Sequence, residues 1–60
     1  MTDFGVRLRQ ARERLGLTQE DVAGRSGVHA TEVSRIEAGK RDPKVSTLLR
    51  LARAVEVPAG

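Results

Sequence analysis

The sequence predicts an all-α fold, a compact bundle of four to five short helices. Apolar residues recur every three or four positions, which is the spacing of one helix face. Glycines follow these apolar stripes where helices commonly end. No segment alternates apolar and polar residues with a period of two, so no strand is predicted. The 60 residues are predicted to form a single domain, residues 1–60.

The composition excludes several classes of protein. Without cysteine, the chain has neither a disulfide framework nor a thiolate zinc site. One histidine, His29, makes no cluster of metal ligands, so no metal and no cofactor are expected. The chain has no membrane-spanning apolar run and no signal peptide at its start, so a cytoplasmic location is expected. No nucleophile, base and set of oxyanion donors come together, so we predict that the chain is not an enzyme.

Positive charge is concentrated in one segment, although the net charge is only +3. Basic and acidic side chains balance over residues 1–39, whereas residues 40–53 contain one acid, Asp42. The basic residues of that segment are Lys40, Arg41, Lys44, Arg50 and Arg53. Such a patch is typical of a surface that binds a polyanion. A solvated loop and helix face explains it equally well.

The first helix is predicted from Phe4 to Leu15. Asp3 is suited to the N-cap position and Gly16 to the position just beyond the helix end. Spacings of four, three and four residues place one apolar stripe on its inner face: Phe4, Leu8, Ala11 and Leu15.

The second helix is predicted over about residues 19–25. The Thr18 hydroxyl can accept a hydrogen bond from the backbone N–H of Asp21, while the Asp21 carboxylate accepts one from Thr18, which forms a capping box. Gly27 can adopt a positive φ without steric cost, so it ends this helix.

The third helix is predicted over residues 30–38, with Val33 and Ile36 facing inward and Gly39 at its end. The second and third helices and the glycine turn between them form a helix-turn-helix over about residues 19–38. Such a turn leaves the outer face of the later helix projecting from the domain.

A fourth helix is predicted to begin at Val45, after a loop in which Asp42 precedes Pro43 and therefore avoids the helical region. Pro58 ends the helical pattern. The predicted apolar stripe comprises Val45, Leu48, Leu49, Ala52 and Val55.

The segment LGLTQEDVAGRSGVHATEVSRIEAGKRDP resembles the helix-turn-helix of phage repressors and Cro proteins, the XRE family. The segment TLLRLARAVEV resembles the next helix of that family, and the likeness covers nearly the whole chain. The features that carry it are Leu15-Gly16-Leu17-Thr18-Gln19, Ala23, Gly27, Val33, Ile36 and Glu37-Ala38-Gly39-Lys40.

This resemblance implies a regulator, most simply a repressor, that binds double-stranded operator DNA as a homodimer. Its third helix would lie in the major groove, and a palindromic operator would match the two-fold symmetry. By position, the base-contacting residues are Ala30, Thr31 and Arg35. The residues that correspond to backbone contacts are Gln19, Lys40, Arg41 and Lys44.

Individual residues allow alternatives. Arg35 can donate two parallel bonds to guanine, but it can also contact a phosphate or pair with Glu32. Ser34 is either a phosphate donor or a solvated serine, and Gln19 either a phosphate donor or an exposed helix former. Glu32 can cap the third helix or accept a hydrogen bond from N4 of a cytosine. The capping role is preferred.

Arg12 and Glu37 are predicted to form an ion pair that supports the fold. Arg12 lies at the edge of the first helix's apolar stripe, and Glu37 follows Val33 by four residues on the inner side of the third helix. Relatives commonly carry an Arg and a Glu at these positions. An intermediate to buried pair is expected.

The sequence departs from the family pattern at the caps. His29 and Lys44 stand where Ser or Thr often caps a helix, and Glu56 where Gly, Asp or Asn often ends one. No fifth helix follows VPAG, so the dimer contact is left open, and the chain is expected to be a shortened form or the head of a longer protein. An alternative function is a protein-interaction module of the same fold, of the antitoxin or coactivator type.

Overall fold

A computed structural model describes residues 3–56 of the chain, and the side chains of residues 4–56. Within this part there are four α-helices and no strand, which confirms the predicted all-α class. The helices are α1 Asp3–Arg14, α2 Gln19–Ser26, α3 Ala30–Glu37 and α4 Val45–Ala54. None of the four is long and apolar enough to cross a membrane. Pro58, predicted to end the last helix, lies outside the described residues.

The turn between α1 and α2 contains Gly16, which has a φ of 71°. Its N–H donates to the Glu13 carbonyl oxygen at 3.0 Å, and the N–H of Leu17 donates to the Arg12 carbonyl oxygen, also at 3.0 Å. These two bonds close the helix in a Schellman motif, as expected for a glycine just beyond the last turn. The helix itself starts at Asp3, one residue earlier than predicted.

The predicted capping box starts α2. The Asp21 N–H donates to Thr18 Oγ1 at 3.0 Å, and the Thr18 N–H donates to Asp21 Oδ2 at 2.8 Å. The backbone bond from Thr18 lowers the pKa of Asp21, because it favours the ionised carboxylate. At the other end Gly27 has a φ of 76°, and its N–H donates to the Ala23 carbonyl oxygen at 2.9 Å. Local chemistry alone therefore sets both ends of this helix.

The core lies where α3 packs against α1 and α2, and where α2 packs against α4. Leu17 and Val28, which precede α2 and α3, are half-buried and pack against it. The buried residues of the core are Leu8, Ala11, Val22, Val33, Ile36, Leu51, Ala54 and Val55. α3 is thus held on one side only, and its opposite side is left for solvent.

Part of the predicted core is wrong. Leu15 is 44% exposed, because α1 ends at Arg14 and the helical spacing no longer applies beyond it. Val45 and Leu49 are 75% and 42% exposed, whereas Leu51 is fully buried. α4 is apolar on more than one side, so the spacing of its apolar residues was compatible with burial of either of two faces. Its packing against α2 selects the face that carries Leu51.

Gly5 is a buried glycine where α1 approaches α3. A Cβ atom at this position would overlap the backbone carbonyl oxygen of Ile36. Only glycine allows the two backbones to come this close. This approach brings the later turns of α1, including Arg12, to the C-terminal end of α3.

Candidate nucleic-acid interface

The outer face of α3 is exposed along its whole length. Val33 and Ile36 are buried, as predicted, while Thr31, Ser34 and Arg35 are exposed. Residues three and four apart lie on the same side of a helix, so these exposed side chains form one surface. The eight residues of α3 span about 12 Å, enough for a short insertion into the major groove of DNA.

The three residues predicted to contact bases differ in accessibility. Thr31 and Arg35 are exposed one turn apart, whereas Ala30 at the start of the helix is half-buried. The alternative in which Arg35 pairs with Glu32 is not what the structure shows. Glu32 Oε1 instead lies 3.4 Å from Arg41 Nε. Arg35 therefore remains available on the outer face.

The segment after α3 provides positive charge at one side of this surface. Lys40, Arg41 and Lys44, the predicted backbone contacts, are all exposed. Arg41 is 52% exposed at its side chain and forms its ion pair with Glu32. The carboxylate of Glu32 is thus oriented toward the loop, which differs from its preferred role as a helix cap.

A cleft of about 420 Å³ separates this loop and the start of α4 from the turn before α3. Sequence reasoning did not single out Arg50, which lies in this cleft beside Lys44. The only signal for it was the local excess of basic residues, because the turn and α4 meet through folding alone. His29 and Lys44 occupy the N-cap positions of α3 and α4, and neither side chain makes a capping hydrogen bond.

A second cleft, of about 280 Å³, lies at the opposite side of the exposed face. It is lined by Arg9, Arg12, Gln19, Ser34, Glu37 and Ala38. Two residues predicted as backbone contacts, Gln19 and Ser34, therefore meet in one place although they lie on different helices. Gln19 is not simply solvated, since its Nε2 donates to Glu37 Oε1 at 3.1 Å.

Arg12 and Glu37 form the floor of this second cleft. Arg12 Nε donates to Glu37 Oε2 at 2.8 Å, and Arg12 Nη2 donates to Glu37 Oε1 at 3.0 Å. A third bond runs from Arg12 Nη1 to the Leu17 carbonyl oxygen at 2.8 Å. The two side chains are 12% and 4% exposed. The bonds to Glu37 raise the pKa of Arg12, so the guanidinium stays charged although it is largely buried.

The arrangement is suited to binding. Within residues 3–56 no three potential ligands from His, Cys, Asp or Glu are grouped to hold a metal ion. What the surface presents is exposed polar and basic side chains on a short helix, with loop cations on one side and a polar cleft on the other. Such a surface matches the shape and charge of a DNA groove and its two backbones.

Comparison with known proteins gives concordant matches. Residues 3–60 match the family described as helix-turn-helix domain. The HTH-type transcriptional repressor RghR of Bacillus subtilis is 48% identical over 59 residues, which cover 97% of this chain and 44% of RghR. The uncharacterised HTH-type transcriptional regulator y4dJ of Sinorhizobium fredii is 43% identical over 53 residues, covering 88% of this chain and 69% of y4dJ.

A solved structure agrees with these matches. The restriction-modification controller protein C.AhdI from Aeromonas hydrophila superposes with a TM-score of 0.88 at 38% identity, covering 93% of this chain and 85% of that one. This chain spans less than half the length of RghR, so the activity of RghR as a whole is not transferred by the match.

Proposed function

The chain belongs to the helix-turn-helix domain family, and we propose that it binds double-stranded DNA in a sequence-specific manner as part of a transcriptional regulator. One observation carries this proposal. The outer face of α3 exposes Thr31 and Arg35 while its inner face is locked in the core by Val33 and Ile36. A rigidly held helix with free polar side chains is what direct reading of base edges requires.

In the proposed complex, residues 30–38 enter the major groove. Arg35 presents two parallel N–H donors to O6 and N7 of a guanine. Thr31 contacts a thymine methyl group or hydrogen-bonds to a base edge, and the half-buried Ala30 packs against the bases through its methyl group.

Contacts to phosphates hold this helix in register on both sides. Lys40, Arg41 and Lys44 contact one backbone from the loop after α3. Arg50, which lines a cleft together with Arg41 and Lys44, adds a fourth cation. Gln19 donates to the other backbone from the start of α2, and Ser34 lies beside it. These contacts fix orientation and carry no sequence information themselves.

The chain acts as a homodimer on a palindromic operator, and it represses transcription by covering a promoter. The dimer is proposed from the resemblance to phage repressors, and in such a dimer the two half-sites mirror the two-fold axis of the protein. Support for repression comes from the likeness to RghR, which is named a transcriptional repressor.

In vitro selection from random duplexes, followed by footprinting, tests this proposal. We expect one enriched sequence, protection of two half-sites about one helical turn apart, and affinity that falls steeply with salt. Recovery of no preferred sequence would overturn sequence-specific binding. If the chain has no affinity for DNA but binds a partner protein tightly and independently of salt, the interaction-module alternative would be favoured.

A further inference from the structure

Glu37 is an acidic residue on the helix that we place in the groove, yet its side chain does not face the groove. It is 4% exposed and accepts three hydrogen bonds, two from Arg12 and one from Gln19. Two of these bonds, from Arg12 Nη2 and Gln19 Nε2, end on the same atom, Oε1. Through its bonds to Arg12 on α1 and Gln19 on α2, Glu37 links these two helices to α3. These bonds lie at the cleft that Gln19 and Ser34 also line.

The bond from Gln19 decides which end of its carboxamide lies against Glu37. An ionised carboxylate is an acceptor only, so it accepts the Gln19 NH₂ group and repels the carbonyl oxygen. The opposite amide orientation would bring two acceptors together. A phosphate is also an acceptor only, and it too requires an N–H from Gln19. The Nε2 atom has two hydrogens, so one remains for a phosphate while the other is held by Glu37.

Arg12 makes this arrangement compatible with DNA. A lone carboxylate at the floor of the cleft would repel a phosphate, and its charge would be poorly solvated there. The guanidinium of Arg12 cancels that charge through two parallel bonds and is itself only 12% exposed. Arg12 therefore compensates the charge of Glu37 at the floor of the cleft.

We propose that Glu37 is a positioning residue for DNA binding, which orders the Gln19 carboxamide so that its second N–H points to a backbone phosphate at the cleft. The proposal rests on the proposed function. An unrestrained glutamine loses much rotational freedom when it binds, and ordering it beforehand removes part of that cost. The same carboxylate thus supports the fold through Arg12 and prepares the interface through Gln19.

A double-mutant cycle measured as DNA affinity tests this role. Gln19→Ala is made in the unaltered chain and in an Arg12→Met/Glu37→Met background, which replaces the buried pair by apolar side chains that such sites often tolerate. The probes are the duplex recovered by in vitro selection and a random duplex of equal length. We expect Gln19→Ala to weaken binding about tenfold in the unaltered chain and less than about twofold in the Met background.

Gln10, an exposed glutamine on α1, provides the matched control. Gln10→Ala is expected to change affinity less than about twofold in either background. Equal losses from Gln19→Ala in both backgrounds would overturn the positioning role, since Glu37 would then act through the fold alone. If the unaltered chain binds no duplex, the proposed function itself fails and this inference falls with it.

A spectroscopic readout keeps the test valid if the Met background does not fold. In the unaltered chain, the side-chain amide of Gln19 is expected to give two well-separated proton resonances, with the one bonded to Glu37 shifted downfield. The solvated amide of Gln10 is the reference. A Gln19 amide signal that matches that of Gln10 would contradict the proposal.

Discussion

Arg12 and Glu37 lie 25 residues apart in the sequence and are joined by two parallel N–H···O bonds of 2.8 and 3.0 Å. The first residue is on α1 and the second is the last residue of α3. Because Arg12 also donates to the Leu17 carbonyl oxygen, it holds the start of the helix-turn-helix as well as its end. This largely buried guanidinium therefore helps the core contacts of Val33 and Ile36 to fix the orientation of α3.

Removal of Glu37 alone is expected to destabilise the domain strongly. Glu37→Gln leaves the Arg12 charge buried without a compensating partner, which costs about 3–5 kcal/mol. That is comparable to the whole stability of a domain of this size. Circular dichroism should show this variant largely unfolded, whereas Arg12→Met/Glu37→Met should keep a cooperative urea transition. Coupling is measured with Arg12→Met, Glu37→Gln and the double variant Arg12→Met/Glu37→Gln, and losses that simply add in that double variant would mean that the two residues are not coupled.

Two glycines offer a matched comparison of helix packing. Gly5→Ala places a methyl group against the Ile36 carbonyl oxygen and should lower the free energy of unfolding by about 1–3 kcal/mol. Gly24→Ala, within α2, meets no atom within 4 Å and should raise it by about 0.5–1 kcal/mol. Thermal melts of both variants check this. Similar effects at the two sites would show that α1 and α3 do not approach as closely as described.

The capping box should make part of the stability depend on pH. Folding lowers the pKa of Asp21 from its ordinary 3.8, because the folded carboxylate accepts the Thr18 N–H. The unfolded chain therefore takes up this proton first as the pH falls, and stability decreases below about pH 4. At pH 7 the free energy of unfolding should be higher for the unaltered chain than for Asp21→Ala. This difference should decrease as the pH falls below about 4. A difference that stays constant from pH 7 to pH 2 would exclude this carboxylate as its source.

Whether a feature could be predicted from the sequence depends on how far apart in the chain the interacting residues lie. The capping box and the glycine turns involve neighbours in the chain, so residue types within a few positions specify them. The Arg12–Glu37 contact joins distant residues, and a family resemblance was needed to expect it.

Other features depend on where one helix lies against another, which local spacing does not specify. The close approach at Gly5 requires the position of the α3 backbone. The bond from Gln19 to Glu37 requires the angle between α2 and α3. The prediction of the inner face of α4 was wrong at Val45 and Leu49, because several sides of that helix are apolar. Packing against α2 determines which of these sides is buried.

Lys44 should separate stability from DNA affinity. It holds the N-cap position of α4 without a capping hydrogen bond, so Lys44→Ser should raise the free energy of unfolding by about 1 kcal/mol. The same change removes a proposed phosphate contact and should reduce the salt slope of DNA binding by about one unit. Lys40→Ala keeps the backbone N–H that caps the end of α3, so it should reduce the slope similarly and leave stability within about 0.5 kcal/mol. An unchanged slope for either variant would place that lysine outside the interface.

The most direct test of sequence reading by α3 is the affinity of Arg35→Ala for a panel of duplexes. The panel contains the selected operator and its single base-pair substitutions, with the unaltered chain measured in parallel. Loss of a bidentate guanine contact should cost about 1–3 kcal/mol on the operator and abolish discrimination at one base pair only, while random DNA is bound as before. An equal loss on operator and random duplexes, with all discrimination retained, would contradict base reading by Arg35 and assign this residue to the backbone.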